Sequence, residues 1–178
     1  MDPRVDMFSL EGDMGPHKPV LYGISSGMRP KCIVEIGIRN GASTYALNAG
    51  LHPDGVHHCC DITASCNRVV SSLRNGKFWL MDSNQFAQHY TQEPIDILMI
   101  DGCHEYLQVS MDFDHFFRYV RVNGIVIFHD TFPDAKKKDD PNSCWTVYQI
   151  LDYIKDVAEL EFVTLPYCNG LTIARRIR

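Results

Sequence analysis

Short apolar runs and helix-capable segments alternate along most of the chain. Runs rich in β-branched and aromatic residues fall at Cys32–Ile36, Val56–Asp61, Phe78–Met81, Ile95–Ile100 and Gly124–Phe128. Between them lie Ala42–Leu51, Ala64–Leu73, Asn84–Tyr90 and Glu105–Val120. In the last of these, Val109, Phe113, Phe116, Phe117 and Val120 form a helical core stripe. The runs 97–100 and 125–128 lack polar alternation, as strands do when helices cover both faces of a parallel sheet. The pattern predicts an open α/β sheet with helices on both faces.

Both ends depart from this rhythm. Gly12, Gly15 and Pro16 leave residues 1–18 irregular, and a short helix from Pro19 to Met28 stops at Pro30. One domain then spans residues 19–178. Near the C-terminus, Thr146–Val157 carries apolar residues at helical spacing, and two strands follow with no helix between them, Leu160–Leu165 and Gly170–Ala174. Their link, Pro166-Tyr167-Cys168-Asn169-Gly170, has Asn-Gly turn chemistry, so an antiparallel hairpin closes one edge of the sheet. A plain dinucleotide-binding domain ends on another βα unit instead.

Composition narrows the function classes. A chain of 178 residues can bury ~70% of its unfolded surface as one domain. Hydrophobic residues make up 45% and charged ones 22%, a globular balance that excludes a disordered, collagenous or coiled-coil chain. Every apolar stretch is strand-sized, so no membrane partner is expected, and charges and prolines interrupt any secretory signal before Lys31. The expected compartment is the cytoplasm. A net charge of −5 disfavours nucleic acid and suits a small-molecule substrate or a cation. The three C-terminal arginines, Arg175, Arg176 and Arg178, are too few to change that. Seven cysteines without a C-x-x-C pair are expected to be reduced, mostly buried thiols.

The first strand leads into Glu35-Ile36-Gly37-Ile38-Arg39-Asn40-Gly41-Ala42-Ser43. The glycines are spaced G-x-x-x-G, so the loop is neither a dinucleotide fingerprint nor a Walker loop. Glu35 supplies a carboxylate that suits a ligand ammonium group. Asp61 ends the second strand, 24 residues after Gly37, where an acid reads ribose hydroxyls; it or Thr63 could equally cap the next helix. Glu35, Gly37, Gly41 and Asp61 together favour an adenosine-bearing ligand without a pyrophosphate, S-adenosylmethionine being the common one. Asp82 or Ser83 could face its adenine, and Ser83 serves equally as a helix cap.

The strongest signal lies in Asp101-Gly102-Cys103-His104-Glu105-Tyr106 taken with Phe128-His129-Asp130-Thr131. Both clusters end apolar strands, at the edge where open α/β sheets bind ligands. If the strands are neighbours, roughly 4.8 Å apart, Asp101 and Asp130 come within reach of one ion. Two such carboxylates repel unless one is protonated or a cation lies between them, and a divalent cation is the simplest remedy. His104, three residues after Asp101, is placed to take a proton from a hydroxyl. His129 is either a third metal ligand, favouring manganese, iron or zinc, or a group that orients Asp130 or caps the strand.

These residues resemble a known family. Val34-Glu35-Ile36-Gly37 with Gly41-Ala42-Ser43-Thr44, Asp101-Gly102-x-His104-x-Tyr106 with Val109 and Asp112, and Gly124-Ile125-Val126-Ile127-Phe128-His129-Asp130 resemble the class I S-adenosylmethionine-dependent methyltransferases. Within these, they are similar to the small-molecule O-methyltransferases related to macrocin and mycinamicin methyltransferases and to cephalosporin-hydroxylase-like proteins. The resemblance implies a single-domain Rossmann-like sheet of seven strands with the last antiparallel. It implies cofactor contacts from Glu35, Gly37, Gly41, Ser43, Asp61 and Asp101, with adenine near Asp82 and Ser83. It also implies magnesium or manganese on Asp101 and Asp130, with His129 at the position of a further ligand, and His104 as general base beside Asp101. His129 departs from the acid or amide that metal-dependent members commonly carry there. The acceptor is expected to be a small-molecule hydroxyl.

Competing readings are a metal-dependent hydrolase with Asp101, His104, His129 and Asp130 as ligands, a nicotinamide-dependent oxidoreductase, and a non-catalytic S-adenosylmethionine-binding domain. Ala135–Asn142 is expected to be a solvated loop or a substrate lid, and Trp145 to anchor the following helix rather than meet substrate. Asp112, Asp114 and His115 are expected to face solvent.

Overall fold

Seven strands form one sheet in the computed structural model, which describes residues 11–90, 93–133 and 145–178. A 3-10 turn at Gly15–His17 leads into α1 (Lys18–Met28). The alternation then runs β1 (Cys32–Ile36), α2 (Ala42–Ala49), β2 (Val56–Asp61), α3 (Asn67–Val70), β3 (Gly76–Leu80), α4 (Ser83–His89), β4 (Ile95–Ile100), α5 (Tyr106–Phe117) and β5 (Val120–His129). It ends with α6 (Ile150–Ile154), β6 (Leu160–Leu165) and β7 (Leu171–Arg176). The spatial order is β3-β2-β1-β4-β5-β7-β6. β7 alone runs against the other six, pairing antiparallel with both β5 and β6.

The period-2 geometry of a strand sends alternate side chains to opposite faces, and this chain fills both. Val34, Ile36, Leu98, Ile100, Val126 and Phe128 pack with Phe86 of α4, Phe113 and Phe116 of α5 and Ile150 of α6. Ile33, Ile97, Met99 and Ile127, from the same strands, pack with Leu21 of α1 and Leu47 of α2. This two-sided burial is why the central strands show no polar alternation. Cys32, Cys59, Cys60 and Cys66 are buried free thiols, and burial pushes Cys32 and Cys60 up to about 12, so they behave as small apolar groups.

The hairpin closes one edge as expected, with β7 inserted between β5 and β6 and β6 outermost. Several boundaries differ from the sequence expectation. Ala64–Leu73 is not one helix but a 3-10 turn at Ala64–Cys66 followed by the single turn of α3. There the Ser72 hydroxyl donates to the Val69 carbonyl at 2.7 Å, drawing it from the helical ladder. The helix expected to reach Val120 ends at Phe117, and β5 begins at Val120. The Ala135–Asn142 loop lies outside the described residues, as do residues 1–10 of the N-terminal segment. Among the described residues, no helix is long and apolar enough to cross a membrane.

Candidate active site

The carboxyl ends of β1, β2, β4 and β5 converge on one cleft. Its floor is set by a close approach of backbones. Gly37 donates its N–H to the Cys60 carbonyl at 2.9 Å, and Asp101 donates to the Ile36 carbonyl at 2.8 Å. Gly37 has φ +86°, and a Cβ there would collide with the Asp101 carbonyl oxygen and lie 2.6 Å from Gly102 Cα. Only glycine meets both demands.

Two communicating cavities share Gly37, Asp61, Ile62 and Gly102. One, of about 280 Å³, lies towards Met81, Asp82, Ser83, Gln108 and Asp112. The other, of about 600 Å³, lies towards Asp101, His104, His129, Asp130 and Trp145. In the smaller one, Gln108 Nε2 donates to Ser83 Oγ at 3.1 Å and to Asp112 Oδ1 at 2.8 Å. Asp112 is buried, not solvent-facing as expected, and burial raises its pKa. The cap of α4 is Asp82, which accepts from Gln85 N at 2.9 Å, rather than Ser83. Asp61 lines both cavities, and its carboxylate also organises them. Oδ2 accepts from Ile38 N and Arg39 N, and Oδ1 from Thr63 N. Burial alone would raise its pKa, but these backbone donors outweigh burial and lower it.

Glu35 is placed elsewhere. It is fully buried and lines neither cavity, with Oε1 accepting from Ser43 Oγ at 2.6 Å and Oε2 3.0 Å from His57 Nε2. Its carboxylate therefore secures the start of α2. Ser43 and Gly41 help shape the loop, Gly41 as the left-handed residue preceding α2 with φ +83°. Ser43 also borders a third cavity, of about 620 Å³, together with Lys18, Asn40 and Asp101.

At the centre of the larger cavity four polar side chains form one hydrogen-bonded network. His104 Nε2 lies 2.9 Å from Asp130 Oδ2. His129 Nδ1 lies 3.2 Å from Asp101 Oδ1 and 3.3 Å from Asp130 Oδ2. The neighbouring strands β4 and β5, with Ile100 opposite Phe128, bring the two acids together as the sequence suggested. Asp130 itself has φ +60°, a conformation that short polar residues tolerate and that two side-chain bonds hold in place. Burial opposes charge on both Asp130 and His129. Hydrogen bonds from the two imidazoles nevertheless hold Asp130 down at about 2, and those from the two carboxylates push His129 up to about 10. For Asp101 burial prevails and raises the carboxyl.

Among the described residues, Asp101, His104 and Asp130 could each offer one atom to an ion, all within 4.8 Å of one another. That set differs from the expected one of Asp101, Asp130 and His129. His129 points its Nδ1 between the carboxylates and orients them, the second of the two roles open to it.

His17 and Thr146 escaped the sequence reading, and Trp145 has a larger part than expected. The Trp145 ring stacks on His104 with centroids 4.0 Å apart and planes at 17°, so it belongs to the site rather than only anchoring a helix. His17 is buried, stacked on Tyr167 at 4.6 Å and edge-on to His129 at 5.6 Å. Thr146 Oγ1 accepts from Tyr106 N, and Thr146 N donates to the His104 carbonyl, both at 2.8 Å, fixing the turn that carries His104. No local pattern announces any of these, because each partner lies at least 40 residues away along the chain.

The chain matches the protein family described as a methyltransferase domain over residues 34–131. Its fold is shared by an O-methyltransferase from Streptomyces achromogenes, TomG, involved in tomaymycin synthesis and solved with SAM. That protein is 15% identical, with 92% of this chain and 81% of that one covered and a TM-score of 0.75. An O-methyltransferase from Bacillus cereus in complex with SAH is 17% identical, covering 90% and 80%, with a TM-score of 0.74. An SAH-bound methyltransferase from Podospora anserina is 14% identical, covering 91% and 78%, at 0.72.

Proposed function

The chain belongs to the methyltransferase-domain family, and from that premise we propose that it moves a methyl group from S-adenosylmethionine to a hydroxyl oxygen of a small molecule. The observation that carries this reading is the His104–Asp130 pair at the mouth of a cleft floored by Gly37. The cleft suits an adenosyl ligand: the Gly37 cradle has no room for a Cβ, and the smaller cavity ends in the amide and carboxyl groups of Gln108 and Asp112.

When bound, S-adenosylmethionine supplies a sulfonium methyl group: the S–C bond breaks with its electron pair staying on sulfur, a C–O bond forms, and a neutral thioether is left. The protein's part is to align acceptor and methyl and to take the hydroxyl proton, and alignment of this kind can be worth about 7–11 kcal/mol. Asp130, ionised at neutral pH, accepts from Nε2–H of His104. That fixes the tautomer and leaves Nδ1 of His104 with the lone pair that receives the proton. Trp145 on the ring face holds the imidazole plane.

A divalent cation does not fit beside this base. An ion on Asp101, His104 and Asp130 would consume the Nε2 position of His104 and break its bond to Asp130. The remaining Asp130 oxygen, Oδ1, is buried and meets no hydrogen-bond partner, so it does not replace the bond that would be lost. No step is therefore routed through a metal.

The test is titration calorimetry with S-adenosylhomocysteine and with NAD+, followed by transfer of a labelled methyl group from S-adenosylmethionine to a panel of phenolic, sugar and polyketide hydroxyls. Binding of the adenosyl ligand alone and base-stable label on an oxygen are expected. Binding of NAD+ instead would replace this reading with the oxidoreductase.

A further inference from the structure

We propose that His129 stands where a divalent cation would otherwise bridge Asp101 and Asp130, so that this site works without one and a single substitution at His129 opens it to metal. The inference deepens the methyl-transfer reading and rests on it.

Two carboxylates at the ends of adjacent strands need a positive or hydrogen-bonding partner between them. Here that partner is Nδ1 of His129, 3.2 Å from one acid and 3.3 Å from the other. The ring is buried and has no freedom to leave. It is edge-on to His17, which Tyr167 stacks upon from the far side. The Nε2 atom of His129 is likewise buried and meets no acceptor, so the ring cannot swing round to offer a lone pair to an ion in the cleft without breaking both bonds. A lone pair on Nδ1 would face two carboxylate oxygens, so the favoured state has the proton there, and a nitrogen that donates cannot ligate. An acid at position 129 would remove that donor and add a third oxygen to the two already present, the hard donor set that magnesium and manganese prefer.

The experiment titrates Mn2+ and Mg2+ into the S-adenosylhomocysteine-bound wild type, His129→Asp and His129→Gln, following binding by calorimetry and, for Mn2+, by electron paramagnetic resonance. Melting curves and S-adenosylhomocysteine affinity are recorded alongside. The wild type should show no saturable Mn2+ binding below about 1 mM, chelator should leave its cofactor affinity unchanged, and His129→Gln, whose neutral amide oxygen is a weaker hard donor, should gain less than His129→Asp. His129→Asp should gain Mn2+ affinity by about 100-fold or more. Wild-type Mn2+ binding in the micromolar range that Asp101→Asn abolishes would overturn the proposal, as would a folded His129→Asp with no gain. Should His129→Asp fail to fold, the wild-type titration decides alone. Absence of S-adenosylhomocysteine binding to the wild type would instead strike the methyl-transfer reading, so the two failures are distinguishable.

Discussion

His104 carries the chemistry only because three neighbours fix it: Asp130 at Nε2, Trp145 on its face, and the Thr146 amide on its carbonyl. Replacing it with alanine removes the proton acceptor but no wall of the smaller cavity. His104→Ala should lose about 10²–10⁴-fold in kcat while S-adenosylhomocysteine affinity stays within about twofold, measured by labelled methyl transfer and calorimetry. The His129 network makes a separate, thermodynamic prediction. Its imidazole titrates near 6.5 when unfolded and at about 10 when folded. A raised pKa means its stabilisation is complete below pH 6.5 and is lost as pH rises towards 10. Urea midpoints of the wild type should fall between pH 6 and pH 10, by a free energy of a few kcal/mol (~3–5), whereas His129→Gln should show a flatter profile. At this scale the acids and His104 were legible because chemistry-bearing residues ended apolar runs. The surroundings of Glu35 were not legible, because a strand residue beside a glycine loop can face either side and its partners, Ser43 and His57, lie on separate elements.

Elements were legible where a single periodicity ruled. The bounds of β1, β2, β4 and β6 agree with the sequence pattern, since their apolar runs are cut off by polar or turn residues. Helices after β2 and before β6 were overestimated, because their apolar spacing persists through 3-10 turns that the pattern cannot distinguish. The element-scale device that matters most is the β1–α2 turn pressed against the β4–α5 turn at Gly37 and Asp101. Gly37→Ala must either leave the left-handed region or displace the Asp101 carbonyl. It should cost about 2–4 kcal/mol in a urea melt and weaken S-adenosylhomocysteine binding, whereas Gly23→Ala, with nothing within 4 Å of its added methyl, should leave affinity unchanged. Parallel loss in both variants would show that the cradle is not special.

For the molecule as a whole, helices above and below one sheet followed directly from central runs with no polar face. The strand order on the right-hand side did not. A hairpin can dock by either strand, and only the pairing of Leu171–Arg175 with β5 shows that the later one goes inside. That placement ties distant parts of the chain together: Phe132 N donates to the Asn169 carbonyl, and His17 meets both Tyr167 and the Cys168 carbonyl. Removing residues 171–178 should therefore abolish soluble expression and cofactor binding, although none of these residues lines the cleft. Recovery of a folded protein that still binds S-adenosylhomocysteine would contradict this dependence.

Because β7 occupies an interior place although it follows β6 in sequence, a nascent chain leaving the ribosome presents the flank of β5 as a bare template until residues 171–176 emerge. Competence is thus acquired only once β7 is made, and a chain stalled short of it is exposed to intermolecular strand pairing rather than merely inactive.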